Sequence, residues 1–304
     1  KWKAFHAALP ILLARDSGDT DAALAFKGSQ AASAAAGRDD QSLIHFHYDL
    51  SNDFYALFLD PEMVYSCGYF DDPEMSLEAA QQAKLEMCCR KLKLQQGDRL
   101  FDPGCGWGAL ICYAAKKYGV HAHGVTLAKE QLDYCNEKIA RMGLQDLVTV
   151  ELRDYRSVDT PESYDKIAQI EMFEHVGIDN HDAHFKHMYK LLRPRGLYLH
   201  QASTRRVTPV LANFRKKTAY QKFATRYIFP GGELDHIGMT VTNLERLGFE
   251  VHDVEAWREH FQKTLEHWAD RLWNNREAAA REVGEARMRM WVAYLAATSI
   301  AFQR

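Results

Sequence analysis

Two groups of residues in this chain could carry chemistry, and the first is a glycine-rich turn. Gly104, Gly106 and Gly108 follow a short apolar run that ends in Asp102. Glycine has no Cβ, so a backbone built from it can come within contact distance of a bound molecule. Turns of this kind bind phosphates, dinucleotides or adenosyl groups, so the neighbouring residues must decide between these ligands.

The residues around the turn favour S-adenosylmethionine over a dinucleotide. A dinucleotide site needs an acidic residue about 20 positions further on, where the second strand ends. That strand is predicted over residues 121–125 and runs into Thr126 and Leu127, with no acid. Asp102 before the glycines, with Thr126 and Gln131 after the second strand, suits a ligand without a pyrophosphate. The alternative is an ordinary strand-to-helix turn.

The second group consists of polar residues at or beyond the ends of other predicted elements. Glu171 and Glu174 follow a strand predicted over residues 166–170, at the edge where doubly wound sheets bind ligands. Either could instead be a carboxylate that stabilises a helix start. His200 ends another predicted strand and is either functional or a satisfied core histidine. Cys67 is expected to pack or to donate a hydrogen bond, because methylation of its thiol would be a dead end.

The elements that must position these residues alternate along the chain. Alternation of strands and helices predicts an α/β fold with a doubly wound, mostly parallel sheet. Residues 203–232 interrupt the alternation as an insertion, and residues 1–42 are predicted to form an N-terminal helical arm and linker before a domain over 43–304. The predicted strands are 99–102, 121–125, 148–152, 166–170, 197–201 and 250–256, and the main helices are 109–117, 129–142, 181–192, 237–247, 260–273 and 276–302.

Composition excludes several classes of protein. The net charge of −3 lacks the basic excess that nucleic-acid binding requires. No apolar run reaches the roughly 18 residues of a membrane span, and residues 1–30 have no signal-peptide pattern. Six cysteines without a CxxC pair indicate a reducing compartment, so we expect a cytoplasmic protein. No His, Cys and Asp cluster has metal-ligand spacing.

The insertion carries most of the case for a lipid partner. Residues 205–226 contain seven basic and no acidic side chains, interleaved with aromatic residues. Such a segment suits anionic headgroups, to which each cation contributes about 1 kcal/mol near the surface. We therefore expect peripheral binding to the inner face of a phospholipid membrane, and a homodimer is possible. The alternative is a solvated helical face.

Six motifs in the same order resemble the cyclopropane-fatty-acyl-phospholipid synthases and mycolic acid methyltransferases over residues 43–302. They lie at 47–55 (HYDLSNDFY), 59–61 with 65–69 (LDP, YSCGY), 81–84 (QQAK), 124–127 (GVTL), 172–177 (MFEHVG) and 227–232 (YIFPGG). The resemblance implies the Rossmann-like fold of S-adenosylmethionine-dependent methyltransferases with an added helical lid. It also implies S-adenosylmethionine as cofactor and, as methyl acceptor, the cis double bond of an unsaturated acyl chain, usually in a membrane phospholipid.

The resemblance also implies which residues touch each ligand. Cofactor contacts would fall on Tyr65, Ser66, Gly104, Cys105, Gly106, Thr126, Leu127 and Gln131, with Asp154 and Tyr155 near the adenine. A bicarbonate ion would be held by Cys67, Glu174, His200, the amide of Ala202 and a tyrosine hydroxyl. This chain departs from that pattern, because Phe261 stands at the tyrosine position, Ala202 replaces the usual isoleucine, and Glu171 replaces a glycine. The departures argue against a complete bicarbonate site.

Methyl transfer to an alkene requires an aligned, water-free site and a weak base. An alkene is a weak nucleophile, so it must be held about 3–3.5 Å from the methyl donor in a site without water. Attack leaves a carbocation, and removal of a proton from the new methyl closes a cyclopropane, for which a weak base suffices. We expect Glu171 to supply that carboxylate. The alternatives are a methyl- or methylene-branched product, or a non-catalytic lipid-binding protein.

Overall fold

A five-stranded, fully parallel sheet forms the centre of the molecule. The computed structural model describes residues 24–31, 38–48 and 50–303. The strands lie in the order β3-β2-β1-β4-β5. Their bounds are β1 Arg99–Asp102, β2 His121–Thr126, β3 Val148–Leu152, β4 Tyr164–Ile170 and β5 Leu192–Gln201. The strand order reverses between β1 and β4, and at such a point the loops after the strands diverge and leave a crevice.

Helices cover both faces of this sheet and form a further layer. Leu100 packs with residues of α3, α4 and α5, whereas the next residue, Phe101, packs with Met188 and Leu191 of α6 on the other face. The sheet is therefore doubly wound, as predicted. The helices are α1 Asp40–Tyr48, α2 Asn52–Ala56, α3 Leu77–Lys91, α4 Ala109–Tyr118, α5 Lys129–Met142, α6 His181–Leu191, α7 Ala219–Tyr227, α8 Ile237–Arg246, α9 Arg258–Asn274, α10 Arg276–Val283 and α11 Glu285–Gln303.

An aromatic core joins the added helices to the glycine-rich turn. Phe54 and Phe58, in and just after α2, pack with Trp268 of α9 and Trp291 of α11. Trp107, within the turn, belongs to the same cluster and is buried. Burial of these large rings fixes the helical layer over the carboxyl edge of the sheet, where the cavities described below lie.

Two predicted elements differ from the observed ones. The strand predicted over 250–256 is wrong: these residues have no regular secondary structure and most are exposed. Within the described part of the chain they form no strand ladder, and the side chains of Asp253 and Glu255 pair with Lys91 at the end of α3. The helix predicted over 276–302 is broken at Gly284, whose φ of 82° separates α10 from α11.

The N-terminal segment is described only in part. The amphipathic helix expected at residues 2–14 lies outside the described residues. Arg38, in the segment expected to be a linker, is buried and donates to the carbonyl oxygens of His175 (2.6 Å) and Gly231 (3.2 Å). α1 begins two residues later. Of the described helices, none is both long and apolar enough to cross a membrane.

Candidate active site

The glycine-rich turn connects β1 to α4 as predicted, and its backbone is fixed from both sides. The Cys105 N–H donates to the Val125 carbonyl (3.1 Å), and the Gly108 N–H donates to the Cys105 carbonyl (2.9 Å). Gly106 and Gly108 have φ values of 53° and 76°, in the left-handed region that side chains disfavour. Asp102 accepts from the Gly104 N–H, and burial raises its pKa to about 7.

The two glycines predicted to touch the cofactor differ in their surroundings. A Cβ on Gly106 would meet no atom within 4 Å, so that position opens into empty space. A Cβ on Gly104 would lie 2.8 Å from Cγ of Met172. Gly104 is therefore required first by close packing against a side chain, a reason that the sequence did not indicate.

The ten residues predicted to touch the cofactor surround one cavity of about 450 Å³. Several are held by contacts to one another: the Thr126 hydroxyl donates to Oε1 of Gln131 (2.7 Å) and accepts from the Ala128 N–H (3.1 Å). Asp154 caps the short 3₁₀ turn that begins at Tyr155 and lines the same cavity. The structure thus brings these residues together, and their individual roles in binding stay predictions.

Several charged residues of this cavity were not predicted, and Lys84 and Asp40 are two of them. Lys84 is 2% exposed, and its Nζ donates to the Ser66 hydroxyl at 2.7 Å. Asp40, at the start of α1, pairs with Arg156 (2.8 Å) beside Asp154. A signal for Lys84 was present, since helical spacing places it on the buried face of α3 that carries Leu77, Gln81 and Cys88.

The two carboxylates predicted after β4 are held by different donors. Oε1 of Glu171 accepts from the Cys67 N–H and from Nε2 of Gln201, both at 2.9 Å. Oε1 of Glu174 accepts from the Ser203 N–H at 2.6 Å. Oε2 of Glu174 is buried and has no hydrogen-bond partner among the residues that the structure describes. Burial, and then the charge of Glu174, raises the pKa of Glu171 to about 8, and burial raises that of Glu174 to about 7.

His200 and Cys67 lie beside these carboxylates in uncharged form. Burial, and then His181, lowers the pKa of His200 to about 3, so its ring is neutral, with Nδ1 at 3.1 Å from the Tyr198 hydroxyl. The Cys67 thiol donates to the Gly68 carbonyl (3.2 Å), and burial raises its pKa well above the usual value. A thiol held in this way is not a nucleophile.

The predicted bicarbonate contacts are present only in part. Nε2 of His200 and Oε2 of Glu174 are both without a partner in the described part of the chain, as a small polar ligand between them would require. The Cys67 thiol, however, is directed to Gly68, and Phe261 offers a ring that packs on Phe302 at 4.7 Å instead of a hydroxyl. The set does not make a complete anion site.

A second and larger cavity, of about 2500 Å³, extends from the carboxylates to the insertion. Aromatic and apolar residues line part of it, among them Phe229, Phe261, Leu265, Trp268 and Tyr294, and charged residues such as Lys91 and Glu233 line other parts. Glu171, Glu174, Cys67 and His200 all line it as well. The cavity therefore combines a hydrophobic lining with the four residues predicted to be catalytic.

The insertion uses part of its basic charge internally. Arg215 pairs with Asp179 (2.6 Å) and Glu233 (3.0 Å), and Arg205 donates to the carbonyl of Phe214. Arg206, Lys216 and Lys222 are exposed, and the described residues include no hydrogen-bond or ion-pair partner for their side chains.

The part of the chain that the structure describes contains no group of three or more His, Cys, Asp or Glu residues that could hold a metal ion.

Comparison with known proteins identifies the family. Residues 36–304 match the family model described as mycolic acid cyclopropane synthetase. The chain belongs to this family. A probable fatty acid methyltransferase of Pseudomonas putida is 40% identical over 267 residues, which are 88% of this chain and 67% of the relative. A probable fatty acid methyltransferase of Mycobacterium tuberculosis is 38% identical, and the chain spans 60% of its length.

Solved structures of the mycolic acid cyclopropane synthetase family share the fold. The cyclopropane synthase MmaA2 from Mycobacterium tuberculosis has a TM-score of 0.81 and 32% identity, with 86% of this chain and 93% of that chain covered. The mycolic acid cyclopropane synthase CmaA1, complexed with SAH and CTAB, has a TM-score of 0.80 and 34% identity, with 88% and 94% covered. The chain is an S-adenosylmethionine-dependent methyltransferase of a family that modifies fatty acyl chains.

Proposed function

We propose that the chain methylates the cis double bond of an unsaturated acyl chain in a membrane phospholipid and closes a cyclopropane ring. The observation that carries the proposal is the contact between two cavities of different character. A cavity lined by the glycine turn suits S-adenosylmethionine, which supplies an electrophilic methyl group. It meets a larger cavity whose aromatic and apolar part suits a hydrocarbon chain.

The residues of the larger cavity support each requirement of this reaction. Tyr65, Trp268 and Phe229 present rings that stabilise a carbocation by roughly 0.5–2 kcal/mol each. The Cys67 thiol donates a hydrogen bond and its pKa lies well above the usual value, so it supplies no thiolate that would capture the cation. Glu171 and Glu174 provide carboxylates for proton removal.

A branched product is the second candidate, because the name of the Pseudomonas putida relative, a probable fatty acid methyltransferase, specifies methyl transfer and no ring. The same cation gives a methylene branch when a hydride shift precedes proton loss, and a methyl branch when a reductant follows.

To decide between ring and branch, the protein is incubated with dioleoyl phosphatidylglycerol vesicles and with S-adenosylmethionine that carries a labelled methyl group. Mass spectrometry of the released acyl chains is expected to find a ring. Labelled chains with a branch would contradict ring closure. If the chains carry no label and S-adenosylmethionine is not consumed, the protein is a lipid-binding protein.

We also propose that the insertion contacts the membrane through an exposed tip. Val207, Val210 and Leu211 are 52%, 57% and 63% exposed, which is unusual for adjacent large apolar side chains. They lie in the same segment as Arg206, Lys216 and Lys222, which are exposed and for which the described residues offer no partner. Val207 also lines the larger cavity, so an acyl chain would enter beside the tip. An apolar tip surrounded by cations fits an anionic bilayer surface.

Vesicle sedimentation tests this contact with a matched control. Changing both Val210 and Leu211 to Ser is expected to weaken binding to phosphatidylglycerol vesicles about tenfold or more, since each buried side chain contributes roughly 1.5–3 kcal/mol. Leu152→Ser, at a 51% exposed residue that ends β3, should bind like wild type. Equal binding by the double variant, or an equal loss in the control, would assign the tip no role.

A further inference from the structure

The two cavities meet at only two of the described residues. Tyr65 and Glu171 line both the cofactor cavity and the larger cavity, and no other described residue does. A methyl group passing from donor to acceptor must cross where the cavities meet, because the reacting atoms approach to about 3–3.5 Å. Of the two, only Glu171 carries a group that can accept a proton at neutral pH.

Glu171 is held rigidly at this junction. It directly follows β4 with a φ of 50°, a strained conformation for a residue other than glycine. Its N–H donates to the Gln201 carbonyl on β5 at 2.8 Å, and Oε1 is fixed by the Cys67 N–H and the Gln201 amide. Oε2 receives no hydrogen bond from the described residues. One carboxylate oxygen is thus anchored, and the other is available.

We propose that Glu171 is the base of the reaction, with Oε2 taking a proton from the newly attached methyl group. The proposal rests on the methyl transfer to an alkene given above. In that transfer the carbon–sulfur bond of the donor breaks, a carbon–carbon bond forms, and the second alkene carbon becomes cationic. Glu171 then takes a proton from the new methyl, whose C–H electron pair closes the three-membered ring. The proton remains on the carboxyl until solvent removes it.

The charges around Glu171 suit this role. Burial and the Glu174 carboxylate raise its pKa, while the Cys67 N–H, Lys84 and the Gln201 amide lower it, with a net value of about 8. A cationic sulfonium in the adjoining cavity would favour the ionised carboxylate by the attraction of opposite charges. After the methyl leaves, the sulfur is neutral, and the same carboxylate is a stronger base than an ordinary glutamate.

Glu171 also explains why the predicted bicarbonate set is incomplete. Two carboxylates and an added anion in one enclosed site would repel one another, so one of them would have to be protonated. The side chain that would hold the anion's remaining oxygen is replaced by Phe261, which packs against Trp268 and Phe302. A carboxylate built into the chain needs no bound ion.

Cofactor binding tests the position of Glu171 without any turnover. S-adenosylmethionine carries the sulfonium charge and S-adenosylhomocysteine does not. The affinity for S-adenosylmethionine divided by that for S-adenosylhomocysteine therefore reports on the charge of the facing carboxylate. In wild type this ratio is expected to rise by at least about tenfold between pH 6 and pH 9, since an opposite charge nearby shifts a pKa by one unit or more. In Glu171→Gln only the smaller change that comes from Asp102 and Glu174, whose pKa values are about 7, should remain.

Glu162 supplies a matched control. It has the same φ of 50° and is exposed, but it precedes β4 and so lies at the opposite end of that strand, where it lines only the far end of the larger cavity. Glu162→Gln should retain the pH dependence of wild type. A flat ratio in wild type, or the same pH dependence in Glu171→Gln, would overturn the proposal.

Single-turnover rates on unsaturated vesicles in bicarbonate-free buffer complete the test. Glu171→Gln is expected to lose roughly 10²–10⁴-fold in rate, the usual contribution of a positioned base, while wild type and Glu162→Gln keep theirs. If wild type requires bicarbonate and Glu171→Gln runs normally, the ion is the base. If wild type methylates no acyl chain but its affinity ratio depends on pH through Glu171, the substrate assignment fails and the position of the carboxylate stands.

Discussion

The replacement of Gly106 by Ala tests the assignment of the cofactor cavity most directly. The new methyl would meet no protein atom within 4 Å, so it would project into space that the protein leaves open for a ligand. Insertion of a methyl into a filled site typically costs about 1–3 kcal/mol. We therefore expect the affinity for S-adenosylmethionine to fall roughly 5- to 150-fold, and Gly106→Val to abolish binding.

Gly143 separates this effect from simple backbone strain. It ends α5 with a φ of 67°, close to the 53° of Gly106, and a Cβ there also meets nothing within 4 Å. Both alanine variants should lose about 1–2 kcal/mol of unfolding free energy from the left-handed conformation. Only Gly106→Ala should lose cofactor affinity.

Denaturant unfolding of each variant measures its unfolding free energy. Calorimetric titration of the folded variants with S-adenosylhomocysteine and S-adenosylmethionine measures their cofactor affinity. Near-normal affinity in folded Gly106→Ala and Gly106→Val would refute the assignment of the turn. An equal loss of affinity in Gly143→Ala would show that strain, not lost space, weakens binding. Gly104→Ala should be less stable than Gly106→Ala, because its Cβ would lie 2.8 Å from Met172.

Three further predictions concern charge. Glu171 has a folded-state pKa of about 8, raised above its ordinary value. Its contribution to stability is therefore present below pH 4 and is lost as the pH rises through 8. In denaturant unfolding, Glu171→Gln should be more stable than wild type by on the order of 2–4 kcal/mol at pH 9 and should show no such gain at pH 5. Arg38→Gln should lower the unfolding free energy by about 1.5–3 kcal/mol through its lost bonds to His175 and Gly231, and an unchanged midpoint would contradict that contact. Binding to anionic vesicles should weaken as salt shortens the Debye length from about 10 Å at 0.1 M to 3 Å at 1 M, and salt-independent partitioning would leave the basic insertion as a solvated face.

Local sequence patterns determined the frame of the fold. The strand bounds at 99–102 and 148–152 and the helix at 129–142 agree with those predicted, because apolar runs and helical spacing are properties of neighbouring residues. The glycine turn and the polar residues after β4 were likewise placed by their position at strand ends. The strand predicted at 250–256 is absent because a strand exists only where a neighbour supplies hydrogen bonds, and no local pattern contains the neighbour.

Contacts between distant residues were decided by the tertiary structure alone. Tyr65 and Glu171 are 106 positions apart (171 − 65), and nothing in either segment indicates that both face two cavities. The seven cations of the insertion were visible in the sequence, whereas the pairing of Arg215 with Asp179 and Glu233 was not. The sequence thus determined which chemical groups are available and on which elements they lie. Packing determined which groups meet, because burial and pKa depend on every element that surrounds a side chain.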